Sequence, residues 1–130
     1  MSDKKPNILF LMTDQQRYDA MSCHGGRPQT PNLDRLAAEG VDFQKHFANA
    51  PVCVPSRCSI FSGRYLNAHG VRENDSRLAP HEPHVFKLLK EAGYYLGYVG
   101  KDHLIDHEEA ANFDFFDNLK QVSVTPPPKG

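Results

Sequence analysis

Residues 51–63 read PVCVPSRCSIFSG and crowd a cysteine, a proline, a serine and an arginine just ahead of a short apolar run. Proline is tolerated in the first turn of a helix because its missing N–H would have no partner there anyway. Pro55 therefore places Cys53 at a helix N-terminus, where backbone N–H groups and the positive end of the helix dipole favour negative charge. Such a position lowers a thiol pKa and welcomes an anion such as sulfate or phosphate. Arg57, about one turn further on, adds a planar charged fork that suits tetrahedral oxyanions. By residue type Cys53 is a packed thiol, a disulfide half, a metal ligand or a nucleophile. The plain alternative is a capped surface helix with an incidental thiol.

A second group lies at residues 101–103. Lys101 and His103 are two apart, so an extended backbone points both to one side, where they could bind an anion and shuttle a proton. Asp14 follows a buried-strand pattern and is a natural ligand for a hard cation, although one carboxylate does not make a metal site. His103 and His107 with Glu108 and Glu109 form a further metal-like set, for which a charged, exposed helix is the better reading. His81 and His84 read as surface residues ahead of a helix, and His24 and His69 stay open.

These residues must be positioned by a framework. Residues 7–12 are almost continuously apolar, between Pro6 and Thr13-Asp14, and predict a buried strand of a parallel sheet. Asp14 and Gln15 would follow its carboxyl end, the edge where open α/β sheets bind ligands. TPNLDRLAAEG carries a capping Thr30, Pro31 at the first helical position, an apolar stripe of Leu33, Leu36 and Ala37, and a terminal Gly40. Residues 41–43 suggest a short strand. A second helix opens within residues 54–56 and stops at Gly63, and a third runs over about residues 83–92. Residues 94–99 read as a second main strand parallel to the first, setting Lys101 and His103 on the same edge as Asp14. Phe113, Phe115 and Phe116 form an aromatic cluster that packs, whereas residues 122–130, with three consecutive prolines, read as an extended or frayed tail. The pattern is the opening of an α/β fold whose two main strands make a poor sheet by themselves.

The 130 residues suit one domain, and a formal net charge of −1 gives no broad reason to expect nucleic acid or an anionic membrane as partner. The apolar run near the N-terminus is too short for a signal peptide or a membrane span, so a cytoplasmic protein is expected. Three cysteines without a C-x-x-C do not resemble a disulfide scaffold, and Cys23 and Cys58 read as small loop or buried thiols.

Cys53-Val-Pro-Ser-Arg57 with Ser62-Gly63 closing the helix resembles the sulfatase signature, C-x-P-S-R followed by a threonine- or serine-glycine. The flanks agree: PNILFLMTDQ resembles the family's first strand with its metal-binding aspartate, TPNLDRLAAEGVDF its first helix, and AGYYLGYVGKDHL its G-K-x-H-L segment. The likeness runs from about residue 6 to 104, with the motifs in the expected order. It implies the N-terminal portion of an alkaline phosphatase-like three-layer α/β sandwich with a mainly parallel sheet, incomplete here. Residues 1–121 would belong to the catalytic domain and 122–130 to the tail.

The resemblance also implies roles. Cys53 would be converted by a formylglycine-generating maturation enzyme to an aldehyde whose hydrate attacks the sulfur of a small-molecule sulfate ester; its second hydroxyl then helps expel sulfate. Arg57 would hold the hydrated nucleophile and metal-side charge, Lys101 would bind the sulfate oxygens, and His103 would assist collapse. Asp14, with Gln15 and the converted Cys53, would hold a divalent cation, calcium in most members, with manganese or magnesium as alternatives.

Two departures bear on this. Many sulfatases have two adjacent aspartates where this chain has Asp14-Gln15. Asp-Gln resembles the pattern in choline-sulfatase-like and phosphonate monoester hydrolase-like relatives, so phosphonate or phosphate esters are the alternative substrates. The family's catalytic domain is also much longer, and its remaining metal ligands come from later sequence. The expectation is therefore a truncated sulfatase of weak or no activity in isolation, with a non-catalytic fragment as the competing reading.

Overall fold

The computed structural model describes residues 4–101 and 113–117. The chain divides into two units, residues 1–46 and 47–130.

In the first unit, two single-turn 3-10 helices at Tyr18–Ala20 and Ser22–His24 precede α1, Pro31–Glu39. Pro31 occupies the first turn as expected, but the Thr30 hydroxyl does not cap the backbone. It bonds the Asp34 carboxylate at 2.9 Å and receives the Ser22 N–H at 2.9 Å. Cys23 N–H donates to the same carboxylate at 3.1 Å. The Ser22 hydroxyl, which donates to Asp34 Oδ2 at 2.5 Å, does most to hold the Asp34 carboxyl below its usual range, with Thr30 and Cys23 adding to it. The loop ahead of α1 is thus tied down by polar contacts, and none of the described side chains of this unit is fully buried.

The expected strand over residues 7–12 is not formed: the segment has no strand or helix, and Leu9 and Leu11 are 82% and 76% exposed. A run this apolar suits the middle of a sheet, and outside a ladder it leaves Leu9 and Leu11 largely exposed. Residues 41–43 likewise form no strand, and Val41 and Phe43 remain exposed for the same reason.

The second unit carries α2, Cys53–Ser62; α3, Leu66–His69; α4, Val85–Glu91; and two short parallel strands, β1, Gly97–Val99, and β2, Phe115–Asp117. Gly97, Tyr98 and Val99 face Phe115, Phe116 and Asp117 in register. The parallel partner of the second expected strand is therefore the aromatic segment near the C-terminus, and not the first apolar run. That strand is also shorter than the residues 94–99 expected, and the third helix starts two residues late. His84, expected at the surface, is buried at the start of α4, where its Nδ1 accepts from the Lys87 N–H at 3.4 Å. α3 had no clear sequence signal; at four residues it is too short for an apolar period to show.

The core of this unit contains Ala50, Val54, Cys58, Phe61, Val71 and Leu96. Val54, Cys58 and Phe61 recur at spacings of four and three, which puts them on one face of α2. Beside this face the rings of Phe61 and Phe86 lie 4.7 Å apart, and Phe113 meets Phe86 edge-on at 5.1 Å. Tyr98 stacks on Phe116 at 5.4 Å. The cluster ties α2, α4 and the sheet together through offset and edge-to-face pairs, each contributing about 0.5–1.5 kcal/mol beyond area burial. Buried His69 joins α3 to α2: its Nδ1 accepts from the Val71 N–H at 3.1 Å, so the ring proton sits on Nε2 and is donated to Ser59 Oγ at 2.9 Å. No helix among the described residues is long and apolar enough to cross a membrane.

Candidate active site

Cys53 lies at the N-terminus of α2, as its sequence context predicts, and the helix opens on it, one residue before the 54–56 expected. Val52 before it is extended, and Ser56 N–H closes the first turn on Val52 C=O at 3.0 Å. Pro55 has no N–H to satisfy, which leaves Val54 as a buried donor near the start. Asn74, twenty positions later in the chain, supplies the missing acceptor, with its Oδ1 3.0 Å from Val54 N. At the other end Gly63, at φ +68°, takes the left-handed C′ position and donates to Ser59 C=O. α2 is thus held at both ends and along one buried face.

Arg57 is only 7% exposed, on the turn following Cys53. Its guanidinium donates to the Lys101 carbonyl at 3.1 Å. The Tyr98 hydroxyl donates to the same oxygen at 2.8 Å. Between them Gly100, at φ +119°, adopts a backbone that side-chain-bearing residues rarely reach, and its N–H bonds Asp117 C=O at 3.0 Å. The turn brings Lys101 back toward α2, and the Lys101 ammonium lies 3.7 Å from Cys53 Sγ. A cation therefore stands beside the sulfur at a helix N-terminus, an arrangement that can hold an anion over position 53. Cys58, by contrast, is fully buried, and burial pushes its thiol up to about 11. Its role is packing.

Three of the expected site residues, Cys53, Arg57 and Lys101, are accordingly brought together. His103 lies outside the described residues, as do His107, Glu108, Glu109 and the 122–130 tail. Asp14 and Gln15 belong to the first unit, where Gln15 has a left-handed backbone at φ +57°. Asp14 and Gln15 offer two neighbouring side chains with oxygen donors, whereas calcium takes about six to eight oxygens. Among the described residues no group of three or more His, Cys, Asp and Glu side chains could hold a metal ion. Those residues do not by themselves fit the cation.

Sequence reasoning missed Asn74 and Tyr98. Asn74 sits in a polar loop whose composition marks a turn and nothing more, and Tyr98 reads as an ordinary strand aromatic. Of the two open histidines, His69 is a buried structural link, and His24 bonds Asp42 through Nε2 at 2.9 Å while stacking on Tyr18.

The Sulfatase family model matches residues 6–128. The chain is 40% identical over 106 residues to "Uncharacterized sulfatase YidJ" of Escherichia coli, covering 81% of this chain and 21% of that protein. It is 41% identical over 117 residues to an N-acetylglucosamine-6-O-sulfatase of Bacteroides thetaiotaomicron, covering 89% and 21%. A rat steryl-sulfatase is 40% identical over 111 residues, covering 76% and 19%. The chain thus spans about a fifth of the length of these relatives. Among solved structures, BT4656 in complex with its substrate D-glucosamine-2-N,6-O-disulfate superposes with a TM-score of 0.78 at 40% identity, over 87% of this chain and 23% of that one. The helices and small parallel sheet are part of that α/β fold, and the chain belongs to the Sulfatase family.

Proposed function

We propose that this chain carries the nucleophile segment of a sulfuric ester hydrolase, with Cys53 the position converted to formylglycine. The observation that carries the reading is the placement of the Lys101 ammonium 3.7 Å from Cys53 Sγ at the first turn of α2. Once formed, formylglycine supplies a hydrated aldehyde as nucleophile toward the sulfur of the ester. This chain's own residues then have separate tasks. Lys101 holds the negative oxygens of the sulfate group, and the start of α2 adds its dipole to that attraction. Arg57, buried and bonded to the Lys101 carbonyl, fixes the lysine's backbone and contributes a second positive charge. His103 is assigned proton transfer at the nucleophile hydroxyls, and Asp14 with Gln15 the side of a divalent cation, calcium before manganese or magnesium. Residues 1–121 are assigned to the catalytic domain. The N-acetylglucosamine-6-O-sulfatase relative and the disulfated glucosamine bound to BT4656 favour a small sulfated molecule, with sugars first to be tried.

Co-expression with a formylglycine-generating enzyme, followed by mass spectrometry of the peptide containing Cys53, tests the modification. The expected product has lost the thiol sulfur and reads as aldehyde or hydrate; an intact thiol counts against the reading. Turnover by the enzyme containing this chain is then measured on aryl sulfate, sulfated glucosamine and aryl phosphonate. Hydrolysis of the phosphonate and of neither sulfate would overturn the choice of sulfate ester.

A further inference from the structure

We propose that Tyr98 is a positioning residue: its hydroxyl, together with the Arg57 guanidinium, holds the Lys101 carbonyl and so sets the Lys101 ammonium beside the Cys53 sulfur. A lysine side chain has four flexible carbon–carbon torsions and loses about 2 kcal/mol of rotamer freedom when fixed. Its ammonium keeps a place only if the backbone that carries it is held. Here that backbone follows Gly100, whose left-handed turn leaves the strand, and the carbonyl of Lys101 receives donors from two different elements, Arg57 at 3.1 Å and Tyr98 at 2.8 Å.

The tyrosine can serve as a fixed donor because its ring is packed. Tyr98 is the middle residue of β1, stacked on Phe116 at 5.4 Å and met edge-on by Phe113 at 5.7 Å and Phe86 at 6.3 Å. The aromatic cluster thereby passes its rigidity to the Lys101 carbonyl through one hydroxyl group. Tyr98 acts through Lys101 and is no catalytic residue. Its importance for sulfate binding rests on the reading given above, whereas its effect on geometry does not, so the two fail separately.

The test uses the unmodified chain and o-phthalaldehyde, which joins a lysine amine and an adjacent cysteine thiol in a fluorescent isoindole. The nitrogen bonds both carbonyl carbons, the sulfur bonds one of them, and two waters leave. Peptide mapping identifies the 53–101 product, and Cys53→Ser and Lys101→Met each abolish it. Tyr98→Phe keeps the ring and removes only the hydroxyl. It is expected to slow formation of this product about fivefold, the worth of one net hydrogen bond, with circular dichroism unchanged. Ser62→Ala, which removes a hydroxyl bonded to Cys58 C=O at 2.6 Å, controls for general loosening of α2 and is expected to leave the rate alone. A wild-type rate in Tyr98→Phe, or an equal slowing in Ser62→Ala, overturns the proposal. An intact thiol after co-expression, with slowing in Tyr98→Phe, removes the assignment of Cys53 to formylglycine and leaves the positioning role standing.

Discussion

Replacing Asn74 with alanine should loosen the entry to α2 in a way whose size follows from one bond. Val54 is 1% exposed and its N–H points at Asn74 Oδ1 from 3.0 Å. Removing the acceptor strands a buried donor, which costs about 1–3 kcal/mol. Loss of an N-terminal cap by substitution to alanine costs about 0.5–2 kcal/mol. Both ranges describe the same bond, so they are not added, and about 1.5 kcal/mol is the expected loss. For a chain of 130 residues each 1 kcal/mol moves the melting temperature by roughly 3–5 °C, so Tm should fall by roughly 5–8 °C. With a urea m-value of about 2 kcal/mol/M the midpoint should drop by about 0.7 M. Asn74→Asp retains the oxygen acceptor and places negative charge near the positive end of the helix dipole, so it should stay within about 0.5 kcal/mol of the parent. Urea unfolding of the three proteins decides the matter. If alanine is as stable as asparagine, the Val54 N–H has another acceptor and the cap argument fails. If aspartate is as poor as alanine, the amide nitrogen of Asn74, and not its oxygen, mattered.

Two histidines should titrate on opposite sides of their ordinary value of 6.5. Burial pushes His69 down, against a weaker opposing pull from Glu82, so the native state binds fewer protons than the unfolded chain near that pH. Stability contributed by neutral His69 is therefore present above pH 6.5 and lost as pH falls below it, while His24, raised by its bond to Asp42, contributes stability below 6.5 that is lost as pH rises through its higher native value. Ring chemical shifts followed by NMR would give the two midpoints, and the reverse order would refute the assignment. Phe86→Ala should cost about 3 kcal/mol, the low end for a half-buried phenylalanine, while Phe86→Leu should cost about 1 kcal/mol. Thermal unfolding measures both, and equal losses would mean that ring-on-ring contact with Phe61 and Phe113, and not apolar volume, is what holds the cluster.

Much of the site is legible in local chemistry. Pro55 and Gly63 bracket α2 through their own backbone constraints, so the helix and the place of Cys53 on it follow from residues within one short segment. α1 is legible for the same reason, with Pro31 at its start and a short apolar stripe along it. What tertiary structure decided were pairings between segments distant in the chain. Strand formation is a property of two segments together: residues 7–12 have the more apolar pattern, yet β1 pairs with 115–117, whose alternation of exposed and half-buried positions is too short to announce a strand. The Val54–Asn74 bond, the Lys101–Cys53 contact and the Tyr98 hydroxyl on Lys101 C=O depend on backbone placement to a few tenths of an ångström. Residue types single out Cys53, Lys101 and Arg57 as candidates for this site. Only the fold brings that cation to the sulfur, because a hydrogen bond or ion pair is set by distance in space, which chain spacing does not specify beyond a turn or two.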